Sequence, residues 1–347
     1  MKILFLTEGK NVPASRYRVY QWVKHLKEAG IKCSVSACWP QKYYLPQWHK
    51  KQIIGWGITR LFFLLKYINR FFAVMKAPFY DIVFLQRDLL SWERICFLEK
   101  LLRRLSKKLV FDFDDAIHIH APAKIAEIIK MSDSIVVGNK HLESYARQYN
   151  PNVKVIPTCV DTEIYSPVSG HEQSAIFIGW MGSSSGIENL KIVSGAISQL
   201  AQKYDFSFKI ISDYFYQFDF LKNPEIEYRK WNKNTELENL RNFNIGIMPL
   251  EDNEMNRGKC GFKALLYMAC GKPAVISPVG VNKEIIQDGS NGFLAKTESE
   301  WFKKLALLIG DKELREKLGQ AGRKTVEDKY SIEANLSNFI SVFQDLL

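Results

Sequence analysis

Short apolar runs separated by helical stretches recur along the whole chain, and this alternation limits the fold more than any other feature. Lys2–Thr7, Cys33–Ala37, Ile82–Leu85, Leu109–Phe113, Ile135–Val137 and Val153–Ile156 each read as a buried strand. Helical spacing fills the gaps, as from Arg16 to Ala29, where Gly30 stops it. Strands alternating with helices imply right-handed βαβ units and a doubly wound parallel sheet. The pattern restarts at Ala175. Ala175–Trp180, Phe208–Ile211, Ile245–Met248, Ala274–Ile276 and Gly292–Leu294 form the second set. Ser185-x-x-Glu188, Thr235-x-x-Glu238 and Thr297-x-x-Glu300 have the spacing of capping boxes that open helices. A chain of 347 residues suits two such domains better than one core. The Pro/Gly/Ser stretch Ser166–Ser174 separates them, giving domains at 1–168 and 169–330. In 331–347 the residues Ile332, Leu336, Phe339, Ile340, Phe343 and Leu347 make a helical apolar stripe, predicted to cross back to the first domain.

Apolar residues at 47% and charged residues at 24% exclude a disordered chain. The first apolar run is too short for a secretory signal, and the six Cys show neither metal-ligand nor disulfide spacing. A cytoplasmic protein is expected. The net charge of +11 is uneven: residues 1–168 carry 26 Lys and Arg against 14 Asp and Glu, and the remainder carries 22 against 23. The first half therefore calls for an anionic partner. No nucleic-acid motif accompanies the charge, so no nucleic acid is expected, and an anionic membrane surface is. The segment Ile53–Ala77 fits that partner. It is strongly apolar, with Trp56 and Leu61–Leu65, yet carries Arg60, Lys66, Arg70 and Lys76. At 100° per residue, Lys66, Asn69, Arg70 and Lys76 share one side, as in a helix lying in a membrane interface. The alternative is a core-facing helix beneath the first sheet.

Several motifs in order resemble glycosyltransferase family 4, the group 1 glycosyltransferases of the GT-B fold. They are Val155-Ile-Pro-Thr-Cys-Val-Asp-Thr-Glu-Ile-Tyr-Ser-Pro167, Gly246-Ile-Met-Pro-Leu250 with Tyr267-Met-Ala-Cys-Gly-Lys-Pro-Ala-Val-Ile-Ser277, and Gly280-Val-Asn-Lys-Glu284 with Asp288-Gly-Ser-Asn-Gly292. The resemblance implies two Rossmann-like domains with an inter-domain cleft. The second would hold a nucleotide-sugar donor and the first an acceptor, the sugar being transferred with retention and without a metal. No cofactor is implied, since the nucleotide-sugar is a substrate. The expected acceptor is a lipid-linked or surface glycan such as capsule or O-antigen, reached at the inner face of the cell membrane. Two family glutamates, with seven residues between them, would fall near positions 258 and 266, where this chain has Gly258 and Leu266. A catalytically weakened sugar-nucleotide-binding protein on the same fold is therefore the alternative.

The residues themselves suggest where the chemistry lies. In Arg257-Gly-Lys-Cys-Gly-Phe-Lys263, glycines allow close backbone approach just before a helix start. Arg257, Lys259 and Lys263 with Gly261 supply what a diphosphate leaving group needs. Gly182 and Ser183 follow the first strand of the second domain, and Glu284 follows a glycine turn. These seven are the donor-side candidates. At the end of a strand in the first domain, Asp114 and Asp115 could orient or deprotonate an acceptor hydroxyl, with His118 and His120 as rival bases. Helix capping is the competing use of the aspartates. Arg16 and Arg18, opening the first helix, are candidates for an acceptor phosphate.

Overall fold

A computed structural model describes residues 1–40, 53–91, 93–168, 175–215, 221 and 225–347. Two compact units divide them: Met1–Thr158 with Leu336–Leu347, and Cys159–Asn335. The sequence reading drew its boundaries at 168 and 330; part of the expected linker, 169–174, lies outside the described residues.

The first unit holds a six-stranded parallel sheet of β1 (Lys2–Thr7), β2 (Lys32–Ala37), β3 (Ile82–Gln86), β4 (Lys108–Phe113), β5 (Ser134–Val137) and β6 (Val153–Val155), ordered β2-β1-β3-β4-β5-β6. Phe5 faces Phe84 across the β1–β3 register. The helix Ile332–Gln344 lays Phe339 and Phe343 on this pair: Phe339 stacks 4.5 Å from Trp22, and Phe343 sits 5.9 Å from Phe84. The apolar stripe of the last segment thus completes the core of the first unit from Leu336 onward.

The second unit repeats the plan with β7 (Phe177–Met181), β8 (Ser207–Ser212), β9 (Glu225–Lys230), β10 (Ile245–Met248), β11 (Ala274–Ile276) and β12 (Phe293–Leu294), ordered β12-β11-β10-β7-β8-β9. Eleven of the twelve strands lie where the apolar runs place them. The missing one, β9, has the sequence Glu-Ile-Glu-Tyr-Arg-Lys and forms the sheet edge, where charge is tolerated and discourages further pairing. Of the three capping boxes only Thr297–Glu300 closes in both directions. Thr235 makes no side-chain cap, and the turn after Ser183 is a 3₁₀ helix, Ser184–Leu190, also without one.

The helix Ile53–Val74 differs most from the expectation. Lys66 is buried and Arg70 is completely so. Arg70 donates from Nε to the Leu89 carbonyl at 3.0 Å and from Nη2 to the Thr7 carbonyl at 2.8 Å, while Lys66 lies 5.0 Å over the Phe62 ring. The two cations expected to meet lipid therefore face the protein: the Thr7 and Leu89 carbonyls hold Arg70, and the Phe62 ring lies beneath Lys66. Lys76 and Arg60 are exposed. The side chain of Trp56 lies outside the described residues.

Arg18 is likewise internal. Its guanidinium forks onto Asp112, with Nε–Oδ1 at 3.1 Å, and Nη1 donates to the Ile156 carbonyl at 2.6 Å. Both partners of the pair are essentially inaccessible. Removing one member would leave a buried charge uncompensated. Arg18→Ala is expected to cost about 3–5 kcal/mol of stability, read from urea unfolding of the full chain.

Candidate active site

Open parallel sheets bind ligands beyond the carboxyl ends of their strands, where the strand order reverses direction. In the first unit that point lies between β1 and β3. Glu8 follows β1, Arg87 follows β3, and Asp114 and Asp115 follow β4. Arg87 has φ 59°, an uncommon conformation for a residue with a side chain, and its N–H donates to the Asp112 carbonyl at 2.7 Å. Its guanidinium reaches Asp115 at 2.6 Å, Asp114 at 3.3 Å and Glu8 at 3.9 Å. Burial works against the charge on Arg87, and the three carboxylates more than restore it. The pair expected from the sequence, Asp114 and Asp115, is thus organised by an arginine that the sequence reading did not single out. Its only signal was position: a Gln-Arg-Asp triplet directly after an apolar run. The N-cap residues of the two helix starts that follow are Ala116 and Ala121, neither with a side-chain cap.

His118 lies in the 3₁₀ turn Ile117–Ile119, buried, its ring stacked 3.8 Å from that of Tyr145. His120 is exposed. Arg16 is buried, hydrogen-bonded to the Tyr17 hydroxyl and stacked 4.6 Å over the Tyr17 ring. Arg16 and Arg18 both belong to the π-helical turn Arg16–Tyr20, a local irregularity often found at functional sites. Arg18 nevertheless spends its guanidinium on Asp112 and Ile156, so its place is in the core rather than on a surface that an acceptor could touch. The same burial pushes the Asp112 carboxyl up to about 6 even with Arg18 beside it.

In the second unit the strand order reverses between β7 and β10. Tyr267 braces that junction: its hydroxyl accepts from Met181 N–H at 3.1 Å and donates to the Ile247 carbonyl at 3.3 Å. Gly182 and Ser183 come directly after β7. The Lys263 ammonium lies 4.5 Å over the Trp180 ring, and a Cβ on Gly182 would collide with it. Gly261, at φ 64°, starts the helix Phe262–Ala269, and a Cβ there would stand 3.0 Å from Asn282 Oδ1. Gly280, at φ 53°, packs so closely that a Cβ would lie 2.7 Å from the Arg257 carbonyl. The fold therefore brings Gly182, Gly261 and Lys263 to the carboxyl ends of the strands and presses the loops after β10 and β11 together.

The other donor-side candidates have local partners. Arg257 donates to Asp252 at 2.6 Å on the surface, Lys259 to Asn256 at 2.7 Å, and Glu284 is exposed on the short helix Asn282–Ile285. Ser183 meets Ser185 at 2.8 Å. Asp213, which the sequence reading passed over, accepts from Ser184 N–H at 2.6 Å and so fixes the loop after β7. At the two positions of the family glutamates, Gly258 closes the helix Glu254–Arg257, and Leu266 is buried.

The sequence model for "Glycosyl transferases group 1" matches residues 172–311, the stretch that contains this second site. This part of the second unit is similar to the group 1 glycosyl transferases. The chain is 28% identical to the uncharacterized glycosyltransferase MJ1178 of Methanocaldococcus jannaschii over 62% of its length and 60% of that protein. It is 30% identical to N-acetyl-alpha-D-glucosaminyl L-malate synthase of Bacillus anthracis over 25% of its length and 23% of the relative. The matches thus span less than two thirds of these relatives. Two solved structures share the fold across the chain. Sucrose-phosphate synthase from Thermosynechococcus elongatus aligns with a TM-score of 0.71 at 15% identity, covering 99% of this chain and 98% of that one. HepE of Anabaena, in complex with UDP and glucose, aligns at 0.70 and 13%, covering 99% of each. The fold is GT-B: two α/β units, each on a parallel sheet.

The two glycines should respond differently to a methyl group. Gly280→Ala meets a backbone carbonyl in a left-handed conformation and is expected to destabilise the chain by more than about 1 kcal/mol. Gly182→Ala meets the buried Trp180 ring as well as the end of Lys263 and should lower the melting temperature less than Gly280→Ala does, since neither obstacle is backbone. Thermal melts of both variants check the contrast.

Proposed function

We propose that this protein transfers a sugar from a nucleotide-sugar to a lipid-linked or surface-polysaccharide acceptor. The observation that carries the reading is the Lys263 ammonium, set against Gly182 and over Trp180 at the carboxyl end of β7. Negative charge grows on a diphosphate as its bond to the sugar breaks. A fixed cation beside a helix start favours that charge in the transition state more than in the ground state. Gly182 leaves room for the backbone to approach a phosphate. HepE, of the same fold, binds UDP and UDP-glucose, which supports a nucleotide-sugar here.

In the first unit Asp114 and Asp115, held by Arg87, are the groups that receive or orient an acceptor hydroxyl. The reaction in this reading proceeds with retention and without a metal ion, and the products are glycans such as capsule or O-antigen. It takes place in the cytoplasm, at the inner membrane face. No helix among the described residues is long and apolar enough to cross a membrane.

Gly258 and Leu266 favour a second reading, a protein that binds a sugar nucleotide without transferring it. Slow donor hydrolysis in the absence of acceptor supports the enzyme, and tight binding without hydrolysis or transfer supports the second reading.

Lys263→Ala is expected to weaken UDP binding about tenfold or more, with an unchanged melting temperature; calorimetry showing equal affinity would remove Lys263 from the site. Asp114→Asn and Asp115→Asn should each lower turnover, the stronger of the two by about 10²–10⁴, while UDP affinity stays the same. Loss of UDP affinity in these variants would instead mark the aspartates as structural.

A further inference from the structure

The helix Ile53–Val74 is inside out. Its buried face carries Lys66 and Arg70, and its exposed face is apolar. Leu61, Leu64, Ile68, Phe72 and Met75 follow one another at three- and four-residue spacing, and all are exposed, Phe72 at 62%. Such spacing places them on one stripe. The surface continues past the helix end at Phe79, which is 75% exposed, and Ile95 and Phe97, beside a helix that packs on this one, are also exposed. A contiguous apolar surface of this kind marks an interaction site.

Charge identifies the occupant. No Asp or Glu occurs between Glu28 and Asp81, whereas Lys32, Arg60 and Lys76 in that interval are exposed. At the Phe79 end of the surface opens a hollow lined by Lys2, Lys27 and Lys32 together with Phe79 and Tyr80. An apolar stripe bordered by cations, on a stretch of chain that itself carries no acid, matches the boundary between acyl chains and anionic headgroups.

We propose that this face docks the first unit on an anionic lipid bilayer, with the stripe entering the acyl boundary and the lysine-lined hollow receiving headgroup phosphates. This deepens the lipid-linked acceptor reading and rests on it only for its purpose, because docking is measured without donor or acceptor. Attachment comes from the exposed apolar side chains and from surface lysines. Lys66 and Arg70 take no part, since both are buried.

The test is co-sedimentation of the full chain with vesicles of phosphatidylcholine alone, or mixed with phosphatidylglycerol, at low and high salt. The wild type should pellet with the mixed vesicles, less so as salt rises, and poorly with the neutral ones. Leu64→Ser with Phe72→Ser should lower partitioning about tenfold or more, with an unchanged melting curve because both sites are exposed. The single change Phe72→Ser should give an intermediate loss. Lys27→Glu with Lys32→Glu should abolish the preference for phosphatidylglycerol. Undiminished pelleting of the stripe variant, or equal pelleting on both vesicle types, overturns the proposal. So does a wild type that ignores vesicles but forms a dimer that the stripe variant dissolves, which would make a second copy of the chain the occupant. Inactivity of a protein that still binds vesicles would count against the enzymatic reading alone.

Discussion

A strand cannot pair in parallel with its neighbour until the chain has crossed back over the sheet, and this requirement shapes both units. Every crossover carries the chain from one end of the sheet to the other, so all loops leaving the strands' carboxyl ends collect on one rim. Where the strand order reverses, neighbouring loops diverge to opposite faces and leave an opening between them. Glu8, Arg87 and the two aspartates border that opening in the first unit. Gly182, Lys263 and Tyr267 border it in the second. The same geometry, used twice, yields an acidic rim once and a basic, glycine-lined rim once. The two rims differ in their side chains and not in their fold.

Buried charge is the other theme of the first unit. Arg18 pairs with Asp112, Arg70 binds the carbonyls of Thr7 and Leu89, and Lys124 sits between Asp88 at 2.8 Å and Glu99 at 3.2 Å. For Lys124 burial opposes the charge, and the two carboxylates hold it on. Ion pairs of this kind add little net stability over an apolar core, yet they penalise any arrangement that separates the partners. Of the three cations only Arg70, bound to carbonyls and not to acids, adds to the basic excess of the first half of the chain.

The sequence reveals strands well wherever burial is complete on both faces, because such strands are unbroken apolar runs; β4 and β10 lie within a residue of their runs. It fails at β9, whose edge position leaves it polar. It misleads at Ile53–Val74, where periodicity correctly separates a basic side from an apolar side but carries no sign telling which side faces in. Only the carbonyls of Thr7 and Leu89, distant along the chain, settle that. The site shows the same division. Gly261 and Lys263 are visible because turn chemistry and charge lie within a few residues of each other. Arg87 is not, because its three carboxylate partners come from the ends of two other strands.

The return of the chain to the first unit has a consequence for its synthesis. Phe339 and Phe343 seat on Phe5, Trp22 and Phe84, residues translated about 250 positions or more before them. Between Thr158 and Leu336 the ribosome must build the entire second unit. At about 5–20 residues per second, the first sheet waits on the order of ten seconds or more with an aromatic patch uncovered. The unit that emerges earlier of the two is thus the later to be finished. During that interval the nascent chain displays a hydrophobic surface of its own making, and a chaperone has a defined period in which to shield it.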